Sequence, residues 1–172
     1  KFLNPGVHNV KVAQIVDGVA STGAHYLEFT IEDKEGLTSS NRLYLNTAVS
    51  VGSTKSAWDI TKAGIVNLIA AINNTTFDEA KAKLPKVDNA AQLSAELAKM
   101  TVGKPFDIRL NGKEIPGKDG KQNWIKAEFH FSNGTVAPSN SKSLTYDPAK
   151  HIKKLAPSQG QPGISNSVEP TW

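Results

Sequence analysis

The chain has 172 residues, of which 38% are hydrophobic and 21% are charged, and this composition predicts one globular domain, alone or with an extension. It contains no cysteine, which excludes disulfide frameworks, thiol nucleophiles and iron–sulfur clusters and favours a reducing cytoplasm. The 20 Lys and Arg residues exceed the 16 Asp and Glu residues by four, a mild basic excess that permits a nucleic-acid partner without requiring one. No apolar run approaches the ~20 residues that span a bilayer, so no membrane association is expected.

Three β-strands are predicted in the first part of the chain, because large apolar residues alternate there with polar ones. Residues 7–16 alternate until the phase shifts at Ile15, which predicts a bulge and a bend in the first strand. Residues 26–33 and 41–46 alternate without interruption, so one face of each strand is expected to be buried. The residues of these two strands that we expect to point outward are Tyr26, Glu28, Thr30, Arg42 and Tyr44.

A helical segment follows at about residues 55–101, because the apolar spacing changes there to the period of a helix. Helices are predicted at residues 56–72, in a short stretch that begins at Thr76 and stops before Pro85, and at residues 90–100.

The rest of the chain is predicted to contain two more strands and an arm. The strands are expected at residues 105–110 and 123–131, where the alternation returns. Residues 132–172 are rich in Ser, Pro and Gly, and Asp147 and Pro148 predict a short helix among them.

This order of elements predicts a mainly β fold with a helical insertion. Five strands with a helix between the third and the fourth are typical of the OB-fold, a five-stranded, partly open Greek-key barrel. The predicted barrel comprises residues 1–131, and residues 132–172 form an extended C-terminal arm. A mixed β-sandwich with a helical insert is the alternative. If the arm is ordered, we expect the body or a neighbouring subunit to hold it, and the second case would make the protein a homo-oligomer.

The basic residues are concentrated between residues 104 and 126, a segment that contains six basic and three acidic residues. The six are Lys104, Arg109, Lys113, Lys118, Lys121 and Lys126. Trp124 is expected to point outward at the base of this hairpin. An exposed aromatic ring among lysines suits single-stranded nucleic acid, because stacking contributes ~1–3 kcal/mol per base and lysines follow the phosphates. The alternative is a hairpin kept in solution by its lysines, with Trp124 packed under the loop.

No catalytic residue, metal site or cofactor is predicted, and the protein is not expected to be an enzyme. Residues 112–119 approach the P-loop pattern, but Asp119 stands where a Ser or Thr must hold Mg²⁺, and the loop leads into a strand rather than a helix. The four histidines are not clustered, and Asp33 and Glu35 fit a solvated turn.

Four segments of the chain resemble segments of the bacteriophage OB-fold single-stranded-DNA-binding proteins. They are residues 7–12, 26–33, 55–61 and 117–121, and the likeness extends over roughly residues 5–131. It implies sequence-tolerant binding of single-stranded DNA during replication or recombination, in the cytoplasm of an infected bacterium.

The same resemblance implies which residues contact the DNA. Matched by position, they are Tyr26, Arg42, Tyr44, Arg109, Trp124 and Lys126, to which the hairpin adds Lys113, Lys118 and Lys121. Many such proteins end in an acidic tail that recruits replication proteins, whereas residues 167–172 contain one acid, Glu169. Either recruitment differs here or an acidic extension lies outside this sequence. An assembly or protein-interaction subunit on the same barrel is the alternative function.

Overall fold

The computed structural model describes residues 1–156. They form a β-rich body that also contains four helices. Its seven strands are β1 Gly6–Val19, β2 His25–Asp33, β3 Thr38–Tyr44, β4 Pro105–Ile115, β5 Trp124–Glu128, β6 Val136–Pro138 and β7 Ile152–Lys153. The four helices of the described residues are α1 Ala57–Asn73, α2 Phe77–Ala82, α3 Ala90–Thr101 and α4 Pro148–His151. The predicted helical insertion is confirmed, because α1, α2 and α3 lie between β3 and β4 in the chain.

The main path of the sheet is β3-β2-β1-β4-β5, with antiparallel pairing throughout, and β6 and β7 pair with β4 outside this path. Strand β1 joins the two halves of the sheet. Its first half pairs with β4 and its second half with β2, and its register against β2 shifts between Val12 and Gln14. This irregularity confirms the bulge predicted from the phase shift, since an extra residue on one strand bends that strand.

Four strand predictions were wrong at their ends. The first strand extends to Val19 rather than residue 16, and the fourth extends to Ile115 rather than residue 110. The third strand runs from Thr38 to Tyr44 rather than over residues 41–46. The Asp33 carboxylate accepts the backbone N–H of Leu37 and closes a tight turn after β2. Pairing with β2 therefore begins at Thr38, directly after the turn. The fifth strand ends at Glu128 rather than at residue 131. Beyond it, the same edge of β4 is already occupied by β6, and an edge can hold only one partner strand.

The helices begin and end at residues that the sequence marks. Ser56 and Asp59 form a capping box at the start of α1, and Asn74 ends the same helix in the left-handed conformation. Thr76 caps α2 in the same way, and Asn89 caps α3. Because these caps satisfy N–H groups that a helix leaves free, each helix start is fixed locally.

The core lies between the inner faces of the strands and the helices α1 and α3. Its largest fully buried side chains come from β2, α1, α3, β4 and the segment after β5, and they are Leu27, Phe29, Ile31, Ile65, Leu68, Ile69, Leu97, Phe106, Ile108, Leu110 and Phe129, together with Val12 of β1. Their burial confirms which faces of β2 and β4 point inward. The opposite face of β2 is half-buried, and that of β4 is partly covered, since Asp107 is buried there.

The described part of the arm binds the body of its own chain. Strand β6 pairs antiparallel with β4, and β7 pairs with β4 in parallel. The Asp107 carboxylate accepts the backbone N–H of Asn140 at 3.1 Å, and Glu114 accepts that of Leu155 at 2.9 Å. The predicted short helix is α4, capped by Asp147. The last residues of the arm, including the stretch compared with acidic tails, lie outside the described residues.

Seven strands therefore take the place of the five predicted, because two short segments of the arm add to β4. Composition alone gave no reason to place strands there, since neither segment alternates over enough residues. Within residues 1–156, no helix is long and apolar enough to cross a membrane.

Candidate nucleic-acid interface

The outer face of β2 and β3 brings together four of the residues expected to point outward. Tyr26 is opposite Tyr44, and Glu28 is opposite Arg42, in an antiparallel register. Residues directly opposite each other share one face of a sheet, and the intervening Leu27 is fully buried on the other face. The sequence therefore predicted this face correctly.

Tyr26, Arg42 and Tyr44 form a compact group, called here the tyrosine cluster. The two rings meet edge to face, with centroids 5.9 Å apart. The guanidinium carbon of Arg42 lies 4.1 Å from the centroid of the Tyr26 ring, within the range of a cation–π interaction. Glu28 lies 4.0 Å from Arg42 across the strands. A hydrogen bond with the Tyr44 side chain is the main cause that raises the pKa of Arg42, and the cluster places this guanidinium, paired with Glu28, beside two aromatic rings.

The tyrosine cluster depends on Gly18, which sequence reasoning missed. Gly18 of β1 pairs with Tyr26, and a side chain at this position would begin 2.5 Å from the Tyr26 ring. The ring therefore lies across the backbone of β1, where only a glycine leaves room. A glycine one position before the end of β1, opposite an outward tyrosine, is the only sign of this in the sequence.

Trp124 and two of the predicted lysines lie on the outer face of β4 and β5. The register places Ile115 opposite Trp124 and Lys113 opposite Lys126, so these four residues share a face. Trp124 is 53% exposed, which excludes the alternative that it packs under the loop. Like charges directly opposite in a sheet destabilise it, and neither lysine forms an ion pair within residues 1–156.

Lys118 and Lys121 occupy the loop between β4 and β5. A backbone hydrogen bond of 3.0 Å from the Lys121 N–H to the Lys118 carbonyl closes a turn. The Asn123 side chain accepts the Gly117 N–H at 3.0 Å and ties the base of the loop together. Both lysines are exposed, so the loop presents two positive charges next to Trp124.

Arg109 stands apart from the tyrosine cluster. It belongs to β4, which β1 and β2 separate from β3 along the sheet. Its guanidinium donates to the Asn111 side chain at 3.0 Å and to the Gly134 carbonyl at 3.2 Å. The bond to Gly134 holds the turn before β6, so the Arg109 side chain, which was predicted to contact DNA, stabilises the fold at this position.

Within residues 1–156, no group of three or more His, Asp or Glu side chains is placed to hold a metal ion. Comparison of the chain with models of protein families and with curated proteins gave no match. The likeness to phage proteins therefore rests on the quoted segments alone.

Proposed function

We propose that this chain binds single-stranded DNA without sequence preference, on a surface that extends from the tyrosine cluster to Trp124. The tyrosine cluster is the observation that carries the proposal. The exposed ring of Tyr44 and the half-buried ring of Tyr26, next to the guanidinium of Arg42, offer a stacking surface and a phosphate contact at the same place. Stacking is tolerant of sequence because every base has an aromatic face.

The strand arrangement supports an OB-type barrel as the scaffold. In this proposal β1 to β5 form the barrel, with β1 shared between its two halves and the helices between β3 and β4. The Asn41 side chain of β3 donates to the Phe129 carbonyl just beyond β5 at 2.9 Å, which brings the two ends of the sheet together. In an OB-fold, ligands lie across strands two and three and between the loops that join strands one–two and four–five.

The charges of the β4–β5 hairpin support the same site. Lys113 and Lys126 face each other without a described acidic partner, and Lys118 and Lys121 lie at the tip. Phosphates would relieve the repulsion between the paired lysines, so this arrangement favours a polyanion. The role in replication or recombination, within an infected bacterium, is the setting that the phage resemblance implies, and replication proteins are the partners it suggests.

The proposal is tested by titrating a labelled oligo-dT with the protein at several salt concentrations. For single strands, the logarithm of the binding constant falls with the logarithm of salt by ~0.7 per phosphate contact. Replacing Lys118 and Lys121 by Ala should therefore lower the slope by about 1.4 if both contact phosphates. Lys81 and Lys83, exposed around the end of α2, provide the matched control pair. Affinity that does not change with salt would exclude the proposal, and duplex DNA and RNA should be titrated in parallel.

Assembly through the arm remains a second hypothesis. The described part of the arm pairs with β4 of its own chain, so a neighbouring subunit is not needed to order it. An oligomer held by the arm would require β6 and β7 to pair with the β4 strand of another copy.

A further inference from the structure

We propose that a groove between Phe2, the start of β3 and Trp124 holds one base of the bound strand, with Phe2 as an aromatic contact. This inference rests on the proposed function and names a second base-binding position within it. Phe2 is 69% exposed, Trp124 is 53% exposed, and both line the same groove of about 520 Å³.

The backbone on both sides of Phe2 is fixed. The Leu3 N–H donates to the Thr38 carbonyl at 2.9 Å, and the Thr38 N–H donates to the Lys1 carbonyl at 3.3 Å. Leu3 is 3% exposed and belongs to the core. The segment is thus held as a short parallel bridge, with one side chain buried and the next presented outward. An aromatic ring on a fixed backbone loses little conformational entropy when a base stacks on it.

The remaining lining of the groove combines hydrogen-bonding groups with one positive charge. Thr38, Ser39, Ser40 and Asn4 line it, and the Ser40 hydroxyl shares a hydrogen bond of 2.8 Å with Thr30. Hydroxyl and amide groups can both donate and accept hydrogen bonds, so they can bind the edge of any base. Lys126 also lines the groove and can contact the phosphate of the same nucleotide.

The groove is continuous with the tyrosine cluster along β3. Ser40, Arg42 and Tyr44 alternate on the outer face of this strand, and Ser40 also lines the groove. Tyr44 is four residues after Ser40, which corresponds to about 13 Å at ~3.3 Å per residue. At the ~3.4 Å rise of one strand of B-DNA, a bound strand that stays stacked covers this distance in about four nucleotide steps.

The test measures binding of a labelled oligo-dT of about 12 nucleotides, a length within the ~4–16 nucleotides that one OB-fold occupies. Phe2→Ala should weaken binding about tenfold, and Phe2→Tyr should bind as the unaltered protein does. Phe2→Leu keeps apolar volume without the ring and should resemble Phe2→Ala. Phe77 is 41% exposed on α2, outside the groove, so Phe77→Ala is the matched control and should have no effect.

A double-mutant cycle then tests whether Phe2 and Trp124 contact the same base. If they do, Phe2→Ala should weaken binding less in a Trp124→Ala background than in the unaltered protein, because groups that share a partner are not additive. Phe2→Ala and Tyr44→Ala, at separate positions, should be additive. The melting temperature of each variant is measured first, so that a folding defect is recognised.

The outcomes separate the two proposals. If the unaltered protein does not bind oligo-dT, the proposed function fails and the groove proposal fails with it. If it binds but Phe2→Ala binds equally well, or no more weakly than Phe77→Ala, only the groove proposal is overturned. Full binding by Phe2→Leu would assign the position an apolar packing role and would also overturn it.

Discussion

Replacing Tyr26 by Ala removes the central ring of the tyrosine cluster. The edge-to-face contact with Tyr44 contributes about 0.5–1.5 kcal/mol, and a cation–π contact at an exposed site contributes about 0.5–1 kcal/mol. Together they predict a loss of roughly 1–2.5 kcal/mol in the free energy of unfolding. Because domains of this size have ~5–15 kcal/mol of stability, the variant should remain folded.

The effect on DNA binding should be larger than the effect on folding. A base that stacks on Tyr26 contributes ~1–3 kcal/mol, which corresponds to about 5- to 150-fold in the dissociation constant. Loss of the ring also removes the cation–π partner of Arg42 and leaves Tyr44 and Glu28 as its contacts, so its side chain should become more mobile. We expect Tyr26→Phe, which keeps the ring, to retain most of the affinity.

Urea unfolding and fluorescence anisotropy with oligo-dT measure the two effects on the same preparations. Phe77→Ala serves as the control for removal of an exposed aromatic ring elsewhere on the surface. A folded Tyr26→Ala protein with unchanged affinity would refute the assignment of the tyrosine cluster to base stacking. An equal loss of affinity in Tyr26→Phe would show that the hydroxyl, rather than the ring, makes the contact.

Three further predictions concern the hairpin and the arm. Trp124→Ala should weaken oligo-dT binding by ~1–3 kcal/mol in an anisotropy titration, and a neutral result would place the stacking position elsewhere. Ending the chain at Asn133 removes β6 and β7 and should lower the free energy of unfolding by at least about 2 kcal/mol, at ~1 kcal/mol per lost hydrogen bond. A fall in the number of subunits, calculated from the mass measured by light scattering, would instead support assembly through the arm. Hydrogen bonds from the Leu155 N–H and then from the Asn123 side chain lower the pKa of Glu114 in the folded protein. The ionised Glu114 therefore stabilises the fold above the pKa of the unfolded chain, and this stabilisation is lost as the pH falls through the lower pKa of the folded state. The protection of the Leu155 amide, measured as its exchange rate relative to the intrinsic rate at each pH, should therefore fall in acid, and an identical pH dependence of this protection in Glu114→Gln would contradict this reasoning.

Local patterns sufficed for much of the fold. The alternation over residues 26–33 gave the inward face of β2, the change of apolar spacing at residue 56 gave the start of α1, and the capping residue Thr76 gave the start of α2. The limits of β3 and β5 were missed because they depend on the turn at Asp33 and on which edge of β4 is free, and the alternation within one strand does not contain that information. The short strands of the arm were missed for the same reason, since β4 selects them.

The candidate site divides in a similar way. Alternation placed Tyr26 and Tyr44 outward, but their contact and the position of Arg42 over one ring follow from the register between β2 and β3. Gly18 and Phe2 acquire their roles only through strand pairing, Gly18 with Tyr26 and Phe2 with Thr38, and the alternation of apolar residues indicates neither contact.

The sequence by itself determined the class of elements, their order and the faces that are buried, because these depend on the period of apolar residues within one segment. It also determined the modest charge, the absence of thiol chemistry and the basic hairpin. Only the tertiary structure decided that the arm binds β4 of its own chain, that Arg109 lies apart from the tyrosines, and that Phe2 and Trp124 line one groove. These outcomes depend on strand pairing between distant segments, where hydrogen bonding and burial across the sheet select the partner.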